Sequence, residues 1–127
     1  QQEYKMRKNT KEIGDRGEEQ AKAHLKENGN QRQETNWRHK KYELDIIAKI
    51  NQTIVFIEVK TRKNNTFGEP ELSVTQKKQQ FLIAAAQQYV ITNNIEEEFR
   101  FDIIAITNNS QNKSIQHLES AFYPSIK

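Results

Sequence analysis

The 127-residue sequence contains no cysteine, and its apolar residues never form a long continuous run. The lack of cysteine excludes disulfide bonds and thiolate zinc sites and agrees with a reducing cytoplasm, where we expect the protein to act. No apolar stretch approaches the roughly 20 residues that cross a bilayer, and none near the N-terminus is typical of a signal peptide. The three histidines, His24, His39 and His117, show no metal-ligand spacing. We therefore expect a protein with no membrane partner.

The length and charge of the chain limit its organisation and its partners. We expect one domain over residues 1–127, with residues 1–9 as a flexible N-terminal tail. The 20 Lys and Arg residues exceed the 17 Asp and Glu residues, which gives a net charge of +3. This excess, concentrated in short clusters, agrees with a polyanionic partner such as nucleic acid, but it also fits a solvated surface.

Hydrophobic periodicity predicts the order helix, three strands, helix, two strands. The first helix is predicted from Lys11 to Asn28, with Thr10 as its N-cap and Gly29 just after its end. The second helix is predicted over residues 74–92, and the strands over 31–39, 44–50, 54–60, 99–107 and 114–121. The second helix can act as the crossover between parallel strands. We therefore expect an α/β domain with a mixed central sheet flanked by helices.

Three charged residues interrupt the most apolar part of the chain, which spans 44–62. Side chains alternate along a strand, so Glu58 and Lys60 share a face, and Asp45 on the preceding strand can meet Glu58 if the register of the hairpin allows. Two buried carboxylates need a positive partner, either Lys60 or a hard divalent cation such as Mg²⁺. On spacing alone, a weak cross-strand pair at the surface remains the alternative.

A third carboxylate, Glu18, follows Gly17 on the predicted first helix. Glycine is expensive inside a helix, so we expect Gly14 and Gly17 to let the helix backbone sit close to the sheet. That packing would bring Glu18 toward the other two carboxylates. The alternative is an i,i+4 ion pair between Glu18 and Lys22.

Four motifs occur in a characteristic order: Gly14-x-x-Gly17-Glu18, Glu43-Leu44-Asp45, Ile57-Glu58-Val59-Lys60 and Arg100-Phe101-Asp102. Together they resemble the YraN-like family of small bacterial proteins. That family is a branch of the PD-(D/E)XK or restriction-endonuclease-like superfamily and is related to archaeal Holliday junction resolvases. One position departs from the family pattern, because Tyr42 stands where the family usually has glycine. The resemblance implies a restriction-endonuclease-like αβββαβ core.

The resemblance also implies a catalytic site. Asp45 and Glu58 would bind Mg²⁺ or Mn²⁺, with the Val59 carbonyl and Glu18 as further ligands, and Lys60 would activate the attacking water. The implied activity is that of a Mg²⁺-dependent endodeoxyribonuclease that hydrolyses phosphodiester bonds. DNA is favoured over RNA as the substrate, although the sequence does not distinguish the two, and branched and single-stranded DNA are the candidate forms. By analogy with junction-cutting relatives, we expect a homodimer.

Basic residues around this centre are predicted to contact the phosphates of the nucleic acid: Arg38, Lys40, Lys41, Arg62, Lys63 and Lys77. For Arg100 and Asp102 we expect a structural role as a paired charge. Two other functions remain open from the sequence. One is a nucleic-acid-binding protein that keeps the nuclease-like fold without catalysis, and the other is an assembly factor whose charged cleft binds a protein.

Overall fold

A computed structural model describes residues 16–62, 74–108 and 113–124 of the chain. The first helix, α1, covers residues 16–27 of this part, and the second, α2, covers Gln76–Thr92. The strands are β1 (Asn30–His39), β2 (Tyr42–Ile50), β3 (Thr53–Arg62), β4 (Phe99–Asn108) and β5 (Lys113–Phe122). The predicted order of elements is confirmed, whereas the predicted start of α1, Gly14 and residues 63–73 lie outside the described residues.

Local side-chain chemistry explains where the helices begin and end. The Thr75 hydroxyl accepts a hydrogen bond from the Lys78 N–H at 3.1 Å, which caps the first turn of α2. At its other end the Asn93 N–H donates to the Tyr89 carbonyl at 3.0 Å. Helix α1 gives way to Gly29 with φ +90°, a left-handed conformation that glycine adopts without strain. The predicted end of α1 is therefore confirmed.

The five strands form one mixed sheet in the order β1-β2-β3-β4-β5. Strands β3 and β4 are parallel, and every other neighbouring pair is antiparallel. The β2–β3 hairpin turns on Asn51 and Gln52, whose φ angles of +49° and +68° are typical of a two-residue hairpin turn. The α/β class and the mixed sheet are confirmed, and the arrangement is consistent with a restriction-endonuclease-like core.

Each face of the sheet buries its own hydrophobic cluster. On one face, Leu82, Ala85 and Ala86 of α2 pack against strand residues that include Phe56 and Phe101. On the other face, Ala21 and Leu25 of α1 pack against a cluster whose strand members are Ile46, Ala48, Val55, Ile57, Ile104 and Ile106. Even-numbered residues of β3 therefore face α2, and odd-numbered residues face α1.

The topology brings the ends of several strands and the start of α2 together at one end of the sheet. Because β3 and β4 are parallel, their carboxyl ends lie side by side, next to the start of α2, β2 and β5. Asp45 lies near the start of β2, and Glu58 and Lys60 lie toward the end of β3. Within the described residues, no helix is long and apolar enough to cross a membrane.

Candidate metal and nucleic-acid site

Asp45 and Glu58 lie opposite each other on β2 and β3. Backbone pairing of Ile46 with Ile57 is the last ladder pair before them, so the same register places Asp45 across from Glu58. The side chain of Glu58 is only 7% exposed, and Asp45 is half-buried. The alternative of a solvated surface pair is therefore wrong for Glu58, whose carboxyl group is part of the protein interior.

The backbone around this pair is opened by the Asp45 side chain. Its Oδ2 accepts a hydrogen bond from the Val59 N–H at 3.0 Å, in place of a β2 carbonyl. Leu44 belongs to the same core cluster as Ile47, although strict alternation would put them on opposite faces, so the strand pattern is interrupted near Asp45. The N–H and C=O of one strand residue face the same neighbour. The Val59 carbonyl therefore also faces the gap that the Asp45 carboxylate enters.

The electrostatics of Glu58 show the cost of this arrangement. Burial, a hydrogen bond with Asp45 and the negative charge of Asp45 raise the pKa of Glu58 to about 8, and Lys78 and Lys60 only partly oppose the shift. One oxygen, Oε2, is fully buried and has no hydrogen-bond partner within the part of the chain that the structure describes. The pair therefore holds an acidic proton or a cation at neutral pH rather than two bare charges.

Two lysines supply positive charge from different elements. Lys60 lies two residues after Glu58 on the same face of β3. Lys78 of α2 places its Nζ 3.7 Å from Glu58 Oε2, too far for a hydrogen bond but close enough for an ion pair. Sequence reasoning chose the neighbouring Lys77 and missed Lys78. The signal was available, because Lys78 precedes the buried Leu82 by one helical turn and Lys77 does not.

Glu18 belongs to α1, which covers the face of the sheet opposite Glu58. Gly17 packs so closely on Thr61 that a Cβ at position 17 would overlap the Thr61 hydroxyl, which confirms the predicted role of Gly17. Thr61 is an odd-numbered residue of β3 on the α1 face, whereas Glu58 faces α2. Across the described ranges, no three acidic or histidine side chains form a group that could hold a metal ion. The structure does not bring Glu18 together with the pair, and its ligand role stays a prediction.

The predicted phosphate contacts surround the same end of the sheet. Arg38, Lys40 and Lys41 lie at the β1–β2 turn and are exposed, Arg62 ends β3 and is half-buried, and Lys77 is exposed in the first turn of α2. Lys41 also lies over the ring of Tyr42 at 5.5 Å. Arg38 pairs with Glu43 at 3.5 Å. Lys63 lies outside the described residues.

The oxygen groups at this centre fit a hard divalent cation. The Asp45 carboxylate accepts from the Val59 N–H next to the buried Glu58, the alternation of the strand turns the Val59 carbonyl toward the same gap, and one Glu58 oxygen lacks a hydrogen-bond donor among the described residues. Mg²⁺ and Mn²⁺ prefer oxygen ligands and usually take one or two carboxylates, with water and phosphate completing the octahedron. Two carboxylates are therefore sufficient for such a site when a nucleic-acid phosphate supplies further oxygens.

Comparison with known proteins assigns the chain to a family. Residues 17–106 match the model of the family described as "Uncharacterised protein family UPF0102". The chain belongs to the UPF0102 family. A UPF0102 protein of Phocaeicola vulgatus is 43% identical over 115 residues, which are 91% of this chain and 95% of that protein.

Relatives from two other bacteria match over a similar extent. UPF0102 proteins of Alkaliphilus oremlandii and Flavobacterium psychrophilum are 42% and 41% identical to this chain, with 88% of this chain aligned in both cases and 98% and 94% of the relative. The resemblance to the YraN-like family is thereby confirmed. The UPF0102 segment contains Glu18, Asp45, Glu58 and Lys60 and ends before His117.

Proposed function

We propose that this UPF0102 protein is a Mg²⁺- or Mn²⁺-dependent endonuclease that hydrolyses phosphodiester bonds in DNA. The observation that carries the proposal is the Asp45–Glu58 pair, in which Glu58 is buried and one of its oxygens has no hydrogen-bond donor among the described residues. Such a pair costs several kcal/mol to keep in a folded protein unless something positive offsets it. A catalytic cation bound by the pair would supply that positive charge.

Each residue of the centre has a chemical task in this proposal. Asp45, Glu58 and the Val59 carbonyl would hold the cation, which when bound supplies positive charge at the scissile phosphate and a lower pKa for water. Lys60, on the same face as Glu58, would orient the attacking water and stabilise charge on the phosphoryl oxygens. Lys78 pairs with Glu58 at 3.7 Å and would exchange that carboxylate for a phosphate oxygen when substrate enters.

The basic residues around the centre support a nucleic-acid substrate. Side chains at the β1–β2 turn, at the end of β3 and in the first turn of α2 all lie at the end of the sheet that holds the carboxylates. Exposed lysines and arginines bind phosphates without reading bases, so the affinity should fall with salt and show little sequence preference. Substrate shape, not sequence, would then select the site of cleavage.

A nuclease screen tests this function directly. Duplex, single-stranded, nicked and four-way DNA are incubated with the protein, with and without Mn²⁺. We expect cleavage of at least one substrate only when the cation is present. Asp45→Ala and Lys60→Ala should each abolish cleavage while DNA binding in a gel-shift assay persists. Glu43→Gln, an exposed carboxylate on the same strand, is the matched control and should cleave like the wild type.

A second function has one observation in its favour. Lys78 already offsets part of the charge of Glu58 without a cation, as a site without catalysis requires. This alternative is a non-catalytic nucleic-acid-binding protein with a nuclease-like fold. Salt-dependent binding of DNA or RNA without cleavage under any cation condition would support it over the nuclease. No measurable affinity for any nucleic acid would overturn both functions.

A further inference from the structure

A second group of titratable side chains, linked by hydrogen bonds, lies on the α1 face of the sheet, away from Glu58. Asp102 of β4 is completely buried, and its Oδ2 lies 2.7 Å from His117 Nε2 on β5. The other ring nitrogen of His117, Nδ1, lies 3.2 Å from His24 Nε2 on α1. The two histidines are 93 residues apart in sequence. Three elements are thus joined by hydrogen bonds through two imidazole rings.

The partners of the rings assign their tautomers. The Asn28 amide donates from Nδ2 to the His24 carbonyl at 2.7 Å, so the same nitrogen faces His24 Nδ1 at 3.5 Å. A donor opposite Nδ1 favours the His24 tautomer with its proton on Nε2, which then donates to His117 Nδ1. His117 in turn donates its Nε2–H to Asp102. Every hydrogen bond therefore points the same way when both rings are neutral and Asp102 is ionised.

Asp102, at the buried end of this hydrogen-bonded group, is firmly held. Arg100 donates to the two Asp102 oxygens at 3.0 and 3.2 Å, and the Ser120 N–H donates to Oδ1 at 3.0 Å. The Ser120 bond depends on an irregularity in β5, where φ is +50° at Ser120 and the β4–β5 register shifts opposite Asp102. Burial opposes ionisation of Asp102, but the bonds from His117, Arg100 and Ser120 hold its pKa below the usual range. Asp102 is an anion at all physiological pH values.

The His24 end of this hydrogen-bonded group reaches solvent. His24 lines a cavity of about 440 Å³ between α1 and the β4–β5 edge, together with Gln20, Glu27 and Ser114. Burial lowers the pKa of His24 below its usual 6.5, positive charge on His117 adds to the shift, and Glu27 opposes it. Solvent can therefore protonate His24, but its lowered pKa makes protonation less favourable than for an ordinary histidine.

We propose that the His24–His117 contact is an acid-sensitive latch that holds the last turn of α1 against β5 and opens when both imidazoles are protonated. With one added proton an N–H···N bond between the rings can persist. With two, both facing nitrogens carry hydrogens, and two positive charges meet across a contact that is 3.2 Å long in the closed state. The last turn of α1 then separates from β5, while the Gly17–Thr61 contact keeps the other end of α1 in place.

Charged groups on all three elements face this contact. They are Glu27 on α1, Asp102 and Arg100 on β4, and Glu119 on β5, which pairs with Arg100 at 3.8 Å. Asp102 already pairs with Arg100 and accepts a hydrogen bond from the Ser120 N–H. Its single negative charge therefore cannot also offset the positive charges of two protonated histidines. A metal ion explains the pair less well, because no group of three His, Cys, Asp or Glu side chains in the described ranges could hold one.

Nuclear magnetic resonance of the wild-type protein tests the latch. At pH 7.5, long-range ¹H–¹⁵N spectra should show both His24 and His117 protonated on Nε2. On acidification, His24 should gain its second ring proton only below the ordinary histidine value, because burial and the charge of His117 lower its pKa, and the hydrogen bond to His117 Nδ1 should be lost in the same step. Protonation of His24 that leaves its contact with His117 intact throughout the acid range would overturn the proposal.

Amide exchange measures the opening itself. The Asn28 and Gly29 amides, bonded to the last turn of α1, should lose protection as pH falls, with an opening constant that rises up to about tenfold per pH unit for each proton bound. The amides of α2, corrected for intrinsic exchange, should not respond.

A variant pair separates the latch from general acid effects. His24→Gln keeps a donor toward His117 but cannot be protonated, so its last turn should stay protected at pH 5.5. His39→Gln is the matched control and should open like the wild type. If His24→Gln shows the same acid-dependent loss of protection as the wild type, the latch does not exist. Should His24→Gln fail to fold, the wild-type titration still decides the question.

Discussion

Replacing Glu58 with glutamine should make the protein more stable at neutral pH. Glutamine has nearly the same shape, can donate a hydrogen bond to Asp45, and carries no charge to desolvate. The wild-type carboxyl group has a pKa of about 8 in the fold against 4.5 for an ordinary glutamate. Between these values the folded protein retains a proton that the unfolded chain releases.

The sign and size of the effect follow from proton linkage. Because unfolding releases this proton, the free energy of unfolding falls as pH rises through the window from 4.5 to about 8. Each unit contributes about 1.4 kcal/mol, so the penalty reaches roughly 4 kcal/mol near pH 7.5. That is a large share of the 5–15 kcal/mol typical of a domain. Glu58→Gln removes the penalty, and its advantage should be small at pH 5 and near its maximum by pH 8.

Urea unfolding at pH 5 and pH 7.5 measures this difference. The wild type should lose stability between the two pH values relative to Glu58→Gln, without a change in the urea m-value. Glu43→Gln, which removes an exposed carboxylate two residues from Asp45, should follow the wild type. If wild type and Glu58→Gln show parallel pH dependence, Glu58 is not the buried, proton-holding group that the geometry indicates.

Three further predictions address packing, the buried ion network and the lysines. Gly17→Ala should lower the free energy of unfolding by roughly 1–3 kcal/mol through overlap with Thr61, and adding Thr61→Ala should restore much of it in a double-mutant cycle. Asp102→Asn should cost roughly 3–5 kcal/mol in thermal or urea unfolding, because it leaves buried donors without their anion. The difference in stability between wild type and Asp102→Asn should disappear in strong acid, where the wild-type carboxyl group also protonates. Lys77→Gln should weaken DNA binding and its salt dependence, whereas Lys78→Gln should reduce cleavage more than binding.

The secondary structure was predictable because each element carries a clear local signal. Strands β2, β3 and β4 are apolar and β-branched, Gly29 marks the end of α1, and the crossover between β3 and β4 follows from chain order. The predicted second helix began at residue 74, because the capping role of Thr75 was not recognised. The meeting of Asp45 with Glu58 was only conditional, since a one-residue change in the hairpin turn would have moved them apart. The two-residue turn at Asn51–Gln52 fixes that register.

The remaining features depend on contacts that local patterns do not encode. Whether α1 covers the face of Glu58 or the opposite face decides the position of Glu18, and the sequence of α1 fits either. The contact between His24 and His117 requires the fold to bring α1 onto the edge strand and requires the irregularity of β5 at Ser120. Their separation in the chain made the two histidines look unrelated.

The most direct test of the central claim is Mn²⁺ binding to the intact protein, measured by calorimetry at pH 8.5 so that Glu58 is ionised. Asp45→Asn removes one proposed ligand, and Glu43→Gln removes a nearby exposed carboxylate as the control. We predict one Mn²⁺ per chain for the wild type and for Glu43→Gln, and a loss of binding for Asp45→Asn. Equal Mn²⁺ binding by the wild type and Asp45→Asn would contradict a metal site between β2 and β3.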